Sequence, residues 1–350
     1  MILDLKKTSP TSYVKNSTLG SGSFGTTFLV SNNGKNYVLK EIKLNSKNIS
    51  EIFGEVNVLN KVAKYGCRPS LLCFKEYFID ADAGTLNIVT EAFENCITLK
   101  EFILKCQKEK PKHFLSHKDL LKIFKSLLDA LYFLHKIGVA HGDIKPENIL
   151  IDKNLNTQLI DFGLSCTKHC KPSGTLLFAS PEILKLIGSK SDISIGFLQT
   201  ADVFSMGIVF YLLANLQFPF TISGNNPYEN SSLTSESFVS PGVLDINTNS
   251  PLTTLRSLYL FYKSRGHVIF SFYNFNRTPF DERINQLIEN MLTIPTKGPH
   301  ARPSSKHASS ILKRIITQFN KDSTTPIALS PESAFAKTPE STFAKTPESP

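Results

Sequence analysis

His141-Gly-Asp-Ile-Lys-Pro-Glu-Asn148 leads straight into the apolar run Ile149–Ile151, and Asp161-Phe-Gly163 follows a short way on. Either aspartate alone, Asp143 or Asp161, would read as a surface turn or a helix cap. Their surroundings say more. Upstream, Leu120, Phe124, Leu127, Leu131 and Leu134 recur at helical spacing behind a Ser116/Asp119 capping pair, with Gly138 as the stop, so that helix faces a core. Downstream, Asp202–Ala214 is apolar nearly all round, the mark of a helix buried inside a domain. Before all of these lie strand-like runs at Thr26–Val30, at Tyr37–Ile42 beyond the turn Asn32-Asn33-Gly34, and at Leu86–Thr90, with a helix candidate at Ser50–Val62. Strands first and helices later predict an α+β chain of two lobes.

The 350 residues, 41% hydrophobic and 20% charged, suffice for one large or two modest domains with a sizeable core. The best apolar run, Met206–Ala214, falls short of the roughly 18 residues a membrane span needs, and Met1 to Pro10 lacks the apolar centre of a signal peptide. Lys and Arg outnumber Asp and Glu by 39 to 30, and the resulting +9 suits anionic partners but equally serves solubility. The cysteines, Cys67, Cys73, Cys96, Cys106, Cys166 and Cys170, are scattered through a chain too long to need staples. Reduced thiols are therefore expected, and with them an intracellular, cytoplasmic or nuclear location. Cys166, His169 and Cys170 lack a fourth ligand at finger-like spacing and read as loop residues rather than a zinc site. From about 223 to 250, Asn, Ser, Thr, Gly and Pro dominate, which predicts a long surface loop of low order. Beyond Phe319 the helical period stops, and Ser333–Glu340 is nearly repeated by Ser341–Glu348. Such a tail cannot bury enough surface to fold, and its Ser-Pro and Thr-Pro steps at Thr325, Ser330, Thr338, Thr346 and Ser349 offer phosphate acceptors or a docking motif for a partner.

Leu19-Gly-Ser-Gly-Ser-Phe-Gly25 contains a GxGxxG, where bare backbone can approach phosphates. A dinucleotide-binding turn would open a helix at its third glycine, whereas Thr26–Val30 continues as a strand, so a glycine hairpin between two strands fits better. Lys40 then stands inside an apolar strand, where an ammonium is costly unless a carboxylate or an anion meets it. Glu55 on the next helix candidate is one carboxylate that could meet it, and Glu51 lies one helical turn earlier on a similar face.

In order and spacing, the glycine hairpin, the strand lysine, the helix glutamate, His141–Asn148 and Asp161-Phe-Gly163 resemble a eukaryotic-type protein kinase of the serine/threonine class. Ser180-Pro-Glu182, Asp202-Val-Phe-Ser-Met-Gly207 and Arg302-Pro303 match later landmarks of that family. The resemblance implies a small antiparallel-sheet N-lobe with one helix over residues 13–93, hinge included. It implies a larger, mainly helical C-lobe over 94–317, with an N-terminal extension at 1–12 and a disordered tail at 318–350. Lys40, held by Glu55, would contact the α- and β-phosphates of ATP, and the loop of Gly20, Ser21, Gly22, Ser23, Phe24, Gly25 and Thr26 would cover the triphosphate. Leu19, Thr27 and Val38 above and Leu150 below would enclose the adenine, with Glu91 to Phe93 as hinge and Thr90 at the back. Asn148 and Asp161 would hold Mg2+. Asp143 would orient the acceptor hydroxyl and take its proton, Lys145 would reach the transferring phosphate, and Thr175 would bridge to the catalytic loop.

The family's usual His-Arg-Asp is here His141-Gly142-Asp143, so the arginine that clamps an activation-loop phosphate is absent. Activity independent of phosphorylation at Ser165, Thr167, Ser173 or Thr175 is the expectation. Thr27 and Phe204 replace a usual valine and tryptophan, away from the phosphate chemistry. For substrates, the lysine-dense stretch Lys100–Lys125 reads as a solvated helix surface or a preference for acidic partners. Glu147 points the other way, since related kinases use a glutamate there to recognise arginine upstream of the target. Protein substrates with Ser/Thr acceptors are implied, with no specific nucleic acid and no membrane. The alternative is a pseudokinase scaffold with little transfer activity. A basic nucleic-acid-binding protein has only the net charge in its favour.

Overall fold

The computed structural model describes residues 13–22, 25–45, 49–108, 115–223, 227–228, 245–247, 250–264, 279–294 and 302–322. The small lobe is a five-stranded antiparallel sheet of β1 (Val14–Gly22), β2 (Gly25–Asn32), β3 (Lys35–Lys43), β4 (Phe74–Asp80) and β5 (Thr85–Glu91), in the order β1-β2-β3-β5-β4. Period-two alternation divides β3 between two faces. Leu39 packs with Val30, Phe78 and Val89 on one side, whereas Ile42 joins the main core on the other, so Val38 and Lys40 share that second face. Helix α1 (Ile49–Ala63) lies on it and buries Ile52, Val56, Leu59 and Val62. The sequence runs at Thr26, Tyr37 and Leu86 thus become β2, β3 and β5. Strand β1 is the first arm of the expected glycine hairpin, whereas β4, at the other edge of the sheet, was not anticipated, because it lacks the clean alternation that marks a half-buried strand.

The larger lobe begins with β6 (Cys96–Thr98) and α2 (Leu99–Lys108). Helix α3 (His117–Lys136) starts as expected, with the Asp119 amide donating to Ser116 Oγ at 3.2 Å, and ends where Gly138 and Val139 donate to the carbonyls of His135 and Leu134. A small sheet of β6, β7 (Ile149–Asp152) and β8 (Thr157–Leu159) carries the catalytic loop. A two-stranded pair of β9 (His169–Cys170) and β10 (Ile193–Ser194) encloses α4 (Pro181–Leu186). Helix α5 (Ile195–Asn215) begins well before the Met206–Ala214 run and is long and apolar enough to cross a membrane by composition. Here it lies mostly buried in the lobe, Phe210 stacked on Phe124 of α3 at 3.8 Å between ring centroids. Closing each ring away from water contributes about 1.5–3 kcal/mol. Around α5 pack α7 (Pro279–Met291) and α8 (Ser305–Asp322), and α6 (Pro251–Ser264) stands against α4. Helix α8 continues past the expected boundary at 317. At the ends of the expected surface loop, β11 (Thr221–Ser223) pairs in parallel with β12 (Asp245–Asn247), so part of that stretch is ordered as sheet. The rest of it, apart from 227–228, and the whole repeat tail lie outside the described residues.

Arg302 fastens the lower part of the large lobe. Its fully buried guanidinium meets both oxygens of Glu182, at 2.5 and 3.2 Å, and also donates to the carbonyls of Thr200 and Thr293. Burial pushes the Glu182 carboxyl up, but the charge and hydrogen bonds of Arg302 outweigh it and hold the group below the usual glutamate range. The stability from this pair is therefore present above that range and falls away as acid carries the pH down through the lowered value.

The expectation of reduced thiols is corrected: Cys67 is bonded to Cys73 and Cys166 to Cys170, while Cys96 and Cys106 stand outside the disulfides. Each pair is separated by only 6 or 4 residues. They clip local loops rather than build a framework, which a count of scattered cysteines does not register. Reduced cysteine usage accordingly no longer supports an intracellular location.

Arg302→Ala, which strands Glu182 in a largely buried place, should cost about 3–5 kcal/mol in denaturant unfolding; a loss under about 1 kcal/mol would show that the pair does not fasten the lobe. Titration of the denatured, unreduced chain with a thiol reagent should find two reactive sulfurs and not six.

Candidate active site

Lys40 stands on the cleft face of β3, and its ammonium lies 2.9 and 3.1 Å from the two oxygens of Glu55 on α1. The same nitrogen is 3.1 Å from Oδ1 of Asp161, which follows β8. Burial alone favours the neutral amine, but the two carboxylates outweigh it and raise the Lys40 pKa, so the charge is kept. Asp161 is likewise pushed up by burial and pulled further down by Lys40 and by the amide of Gly163, so it stays ionised below the usual carboxylate range. Of the two glutamates weighed in the sequence, Glu55 is the one at the lysine.

A second cluster surrounds Asp143. Its Oδ1 accepts from the Thr175 amide at 2.9 Å and the Thr175 hydroxyl at 2.8 Å, and its Oδ2 lies 2.7 Å from the Lys145 ammonium. Lys145 also donates to Thr175 Oγ1 at 2.9 Å. The side-chain amide of Asn148 donates to the Asp143 carbonyl at 2.8 Å and to its Oδ2 at 3.2 Å. Thus Asp143, Lys145, Asn148 and Thr175 are brought together, and the Ile160 amide bonded to the Asn148 carbonyl at 2.9 Å carries Asp161 alongside. With the amide nitrogen of Asn148 already engaged, its side-chain oxygen is the group left to meet a cation. A carboxamide and a carboxylate oxygen are hard donors that suit Mg2+, which keeps waters and phosphate oxygens as its other ligands.

The catalytic loop is pinned from below by Asp202, whose oxygens accept the amides of His141 at 2.8 Å and Gly142 at 2.9 Å and meet His135 at 3.1 Å. Sequence reasoning placed Asp202 in a motif but missed this clamp; a lone carboxylate in an apolar helix was its signal, since burial demands partners. Gly142 has φ +81°, and a Cβ on it would sit 2.5 Å from the Leu164 carbonyl. The residue that replaces the family's arginine is thus held in a backbone conformation suited to glycine.

The residues expected to enclose a nucleotide are distributed as follows. Gly20 pairs with Thr27 and Ser21 with Thr26 across the β1–β2 hairpin, where the two hydroxyls lie 3.1 Å apart. Gly22 and Gly25 close the described hairpin, and Gly25, at φ +124°, would put a Cβ 2.2 Å from the Glu41 carbonyl. Ser23 and Phe24 fall outside the described residues. Leu19 is 56% exposed, and Thr27, Val38 and Leu150 are half-buried on β2, β3 and β7, unlike the closed neighbours Leu39 and Ile151. Val38 faces Thr90 across β3 and β5, and Glu91 and Phe93 continue from β5 toward the large lobe. Of these, Val38 shares the sheet face of Lys40, and a half-open apolar side chain beside a lysine suits a ligand that is flat at one end and anionic at the other.

Two lobes, a buried lysine–glutamate–aspartate cluster and an aspartate–lysine–asparagine cluster below it are the architecture of a protein kinase domain. This chain belongs to the protein kinase family, whose domain profile matches residues 13–314. It is 32% identical over 222 residues to the serine/threonine-protein kinase cds1 of Schizosaccharomyces pombe, covering 59% of this chain and 45% of that protein. To the phosphorylase b kinase gamma catalytic chain, liver/testis isoform, of Bos taurus it is 39% identical over 106 residues, 28% of this chain and 25% of that one. To a probable serine/threonine-protein kinase, MARK-C, of Dictyostelium discoideum it is 27% identical over 241 residues, 65% and 27% of the two chains. The chain thus spans less than half the length of these relatives.

Gly142→Ala forces a side chain into the Leu164 carbonyl at an unfavourable φ and should destabilise the protein by about 1–3 kcal/mol. Thermal unfolding measures it, and an unchanged midpoint would mean that the loop has room to shift.

Proposed function

We propose that this chain is an ATP- and Mg2+-dependent kinase that transfers the γ-phosphate to Ser and Thr hydroxyls of protein substrates. The observation that carries it is the pairing of Asp143, on a loop pinned by Asp202, with Lys145 and Thr175, beside Asn148 and Asp161. Phosphoryl transfer asks for little covalent help and much neutralisation and alignment. Lys40 would bind the α- and β-phosphates while Glu55 holds it in place. Bound between Asn148 and Asp161, Mg2+ would neutralise phosphate charge. All the lone pairs of the Asp143 carboxylate have donors in the resting arrangement, so Lys145 must turn from it to the γ-phosphate as the acceptor arrives. The freed oxygen then takes the proton of the Ser or Thr hydroxyl. That hydroxyl oxygen bonds to the γ-phosphorus as the bond to the bridging oxygen of ADP breaks. Lys145 and Thr175 together favour the serine/threonine class.

Without an arginine at position 142, the charge with which the family holds a phosphate on the activation segment is missing, the loop's Lys145 is engaged by Asp143, and the loop is ordered by its own bonds. Phosphorylation there is accordingly not required.

The test is transfer from labelled Mg-ATP to a mixed peptide library, with acceptors identified by mass spectrometry. Asp143→Asn should lower the rate by about 10²–10⁴-fold while nucleotide binding persists, and the labelled residues should be Ser and Thr. Equal background from both proteins, with ATP shown to bind, would replace the kinase by a pseudokinase scaffold.

A further inference from the structure

Beside Asp143 stands a cluster that the phosphate chemistry does not use. Glu147, in the turn Pro146–Asn148, accepts a hydrogen bond from the Tyr228 hydroxyl. Its Oε1 is also 3.2 Å from the ammonium of Lys100 at the start of α2, and that ammonium lies 5.0 Å from the centroid of the Tyr228 ring. Three separate parts of the chain therefore meet on one carboxylate: the catalytic loop, the first turn of α2 and the segment beyond α5. Tyr228 is not there by accident of a mobile side chain, being 3% exposed. Its ring packs on Phe178 at 5.6 Å and Phe218 at 5.3 Å, and its carbonyl accepts from Gln107 at 2.9 Å. Burial, then the charge of Glu147, its hydrogen bond and the charge of Asp143, raise the Tyr228 phenol above the ordinary tyrosine range, so it remains a donor. Phe178 belongs to the turn that directly follows Thr175, which is bonded to Asp143. The cluster is thus on the side of Asp143 bounded by the end of the activation segment.

We infer that Lys100 and Tyr228 are specificity-determining residues that neutralise and hold the Glu147 carboxylate, so the peptide subsite beside it takes an uncharged rather than a basic residue. The inference rests on the kinase reading of the same site. Glu147 keeps partial exposure, its side chain being 35% accessible, so a peptide can reach it. An arginine or lysine arriving there meets a carboxylate whose charge Lys100 already balances, so it must share that charge with Lys100 or displace it, and either way it gains less than it would from an unpaired carboxylate. With both partners removed, Glu147 becomes an unpaired carboxylate at the rim of the cleft, and a charge-assisted bond to a basic peptide side chain becomes a net gain.

The experiment compares two series of acceptor-serine peptides, one with an arginine scanned through the residues preceding the serine and one with alanine there. Binding is read by fluorescence anisotropy with a non-hydrolysable ATP analogue present, and kcat/KM is measured alongside. The wild type should distinguish the series by less than about threefold. Lys100→Ala combined with Tyr228→Phe should bind arginine peptides about tenfold tighter at one position, an advantage that salt weakens and that adding Glu147→Gln abolishes. Lys100→Ala alone, at an accessible helix start, should show part of the gain even if the double variant unfolds. A wild type that prefers arginine strongly and loses the preference in Glu147→Gln would overturn the inference, as would folded variants that gain nothing. Because anisotropy requires no transfer, failure of the kinase reading would appear separately, as the absence of phosphorylation in both series.

Discussion

An ammonium buried between two carboxylates is the interaction on which the rest of this structure depends. Taking a lysine out of water costs several kcal/mol unless opposite charges meet it at close range. Lys40 can sit on the cleft face of β3 only because α1 delivers Glu55 and the segment after β8 delivers Asp161. One residue comes from the sheet, one from the helix beside it and one from the larger lobe. Satisfying the lysine therefore sets where the lobes stand relative to each other and what kind of cleft opens between them. Those three groups sum to a net negative charge; the ammonium is the one among them suited to an anion, and the ionised Asp161 the one suited to a cation.

Below that cluster, the catalytic loop is ordered by bonds within the chain. Asp202 holds two of its amides, Ser165 donates to the His141 carbonyl at 2.8 Å, and Ala140 and Cys166 exchange backbone hydrogen bonds. The Cys166–Cys170 link lies in the same segment, and β9 carries it onto β10. Thr175 closes the circuit by bonding to Asp143 and Lys145. An arrangement so fully satisfied internally leaves little for a phosphate on the activation segment to add. Gly142 fits that economy: it supplies no charge, and its backbone conformation lets the loop pass under Leu164.

Much of this was legible in the sequence because charges in apolar surroundings announce themselves. Lys40 in a strand of Tyr, Val and Leu had to have a partner, and the resemblance to the kinase family's helix frame chose Glu55 over Glu51. The helical period from Leu120 to Leu134 and the Ser116 cap located α3. What stayed hidden depended on geometry that pattern does not carry. Strand β4 is an edge with weak alternation. The cysteine pairs are neighbours in space whose bonding no count of thiols reports. Tyr228 sits in a stretch of Asn, Ser and Pro that reads as loop, yet it is packed among Phe178, Phe218 and Glu147. Lys100 likewise reads as one more lysine on a solvated helix until the fold places it on Glu147.

The most direct test of the account is single-turnover γ-phosphate transfer to a Ser/Thr peptide by protein shown by mass spectrometry to carry no phosphate. A centre assembled by Lys40, Glu55, Asp161 and the bonds around Asp143 should transfer at its full rate from the first turnover, without a lag. A lag or an absence of transfer, cured only by phosphorylation within residues 165–175, would contradict it.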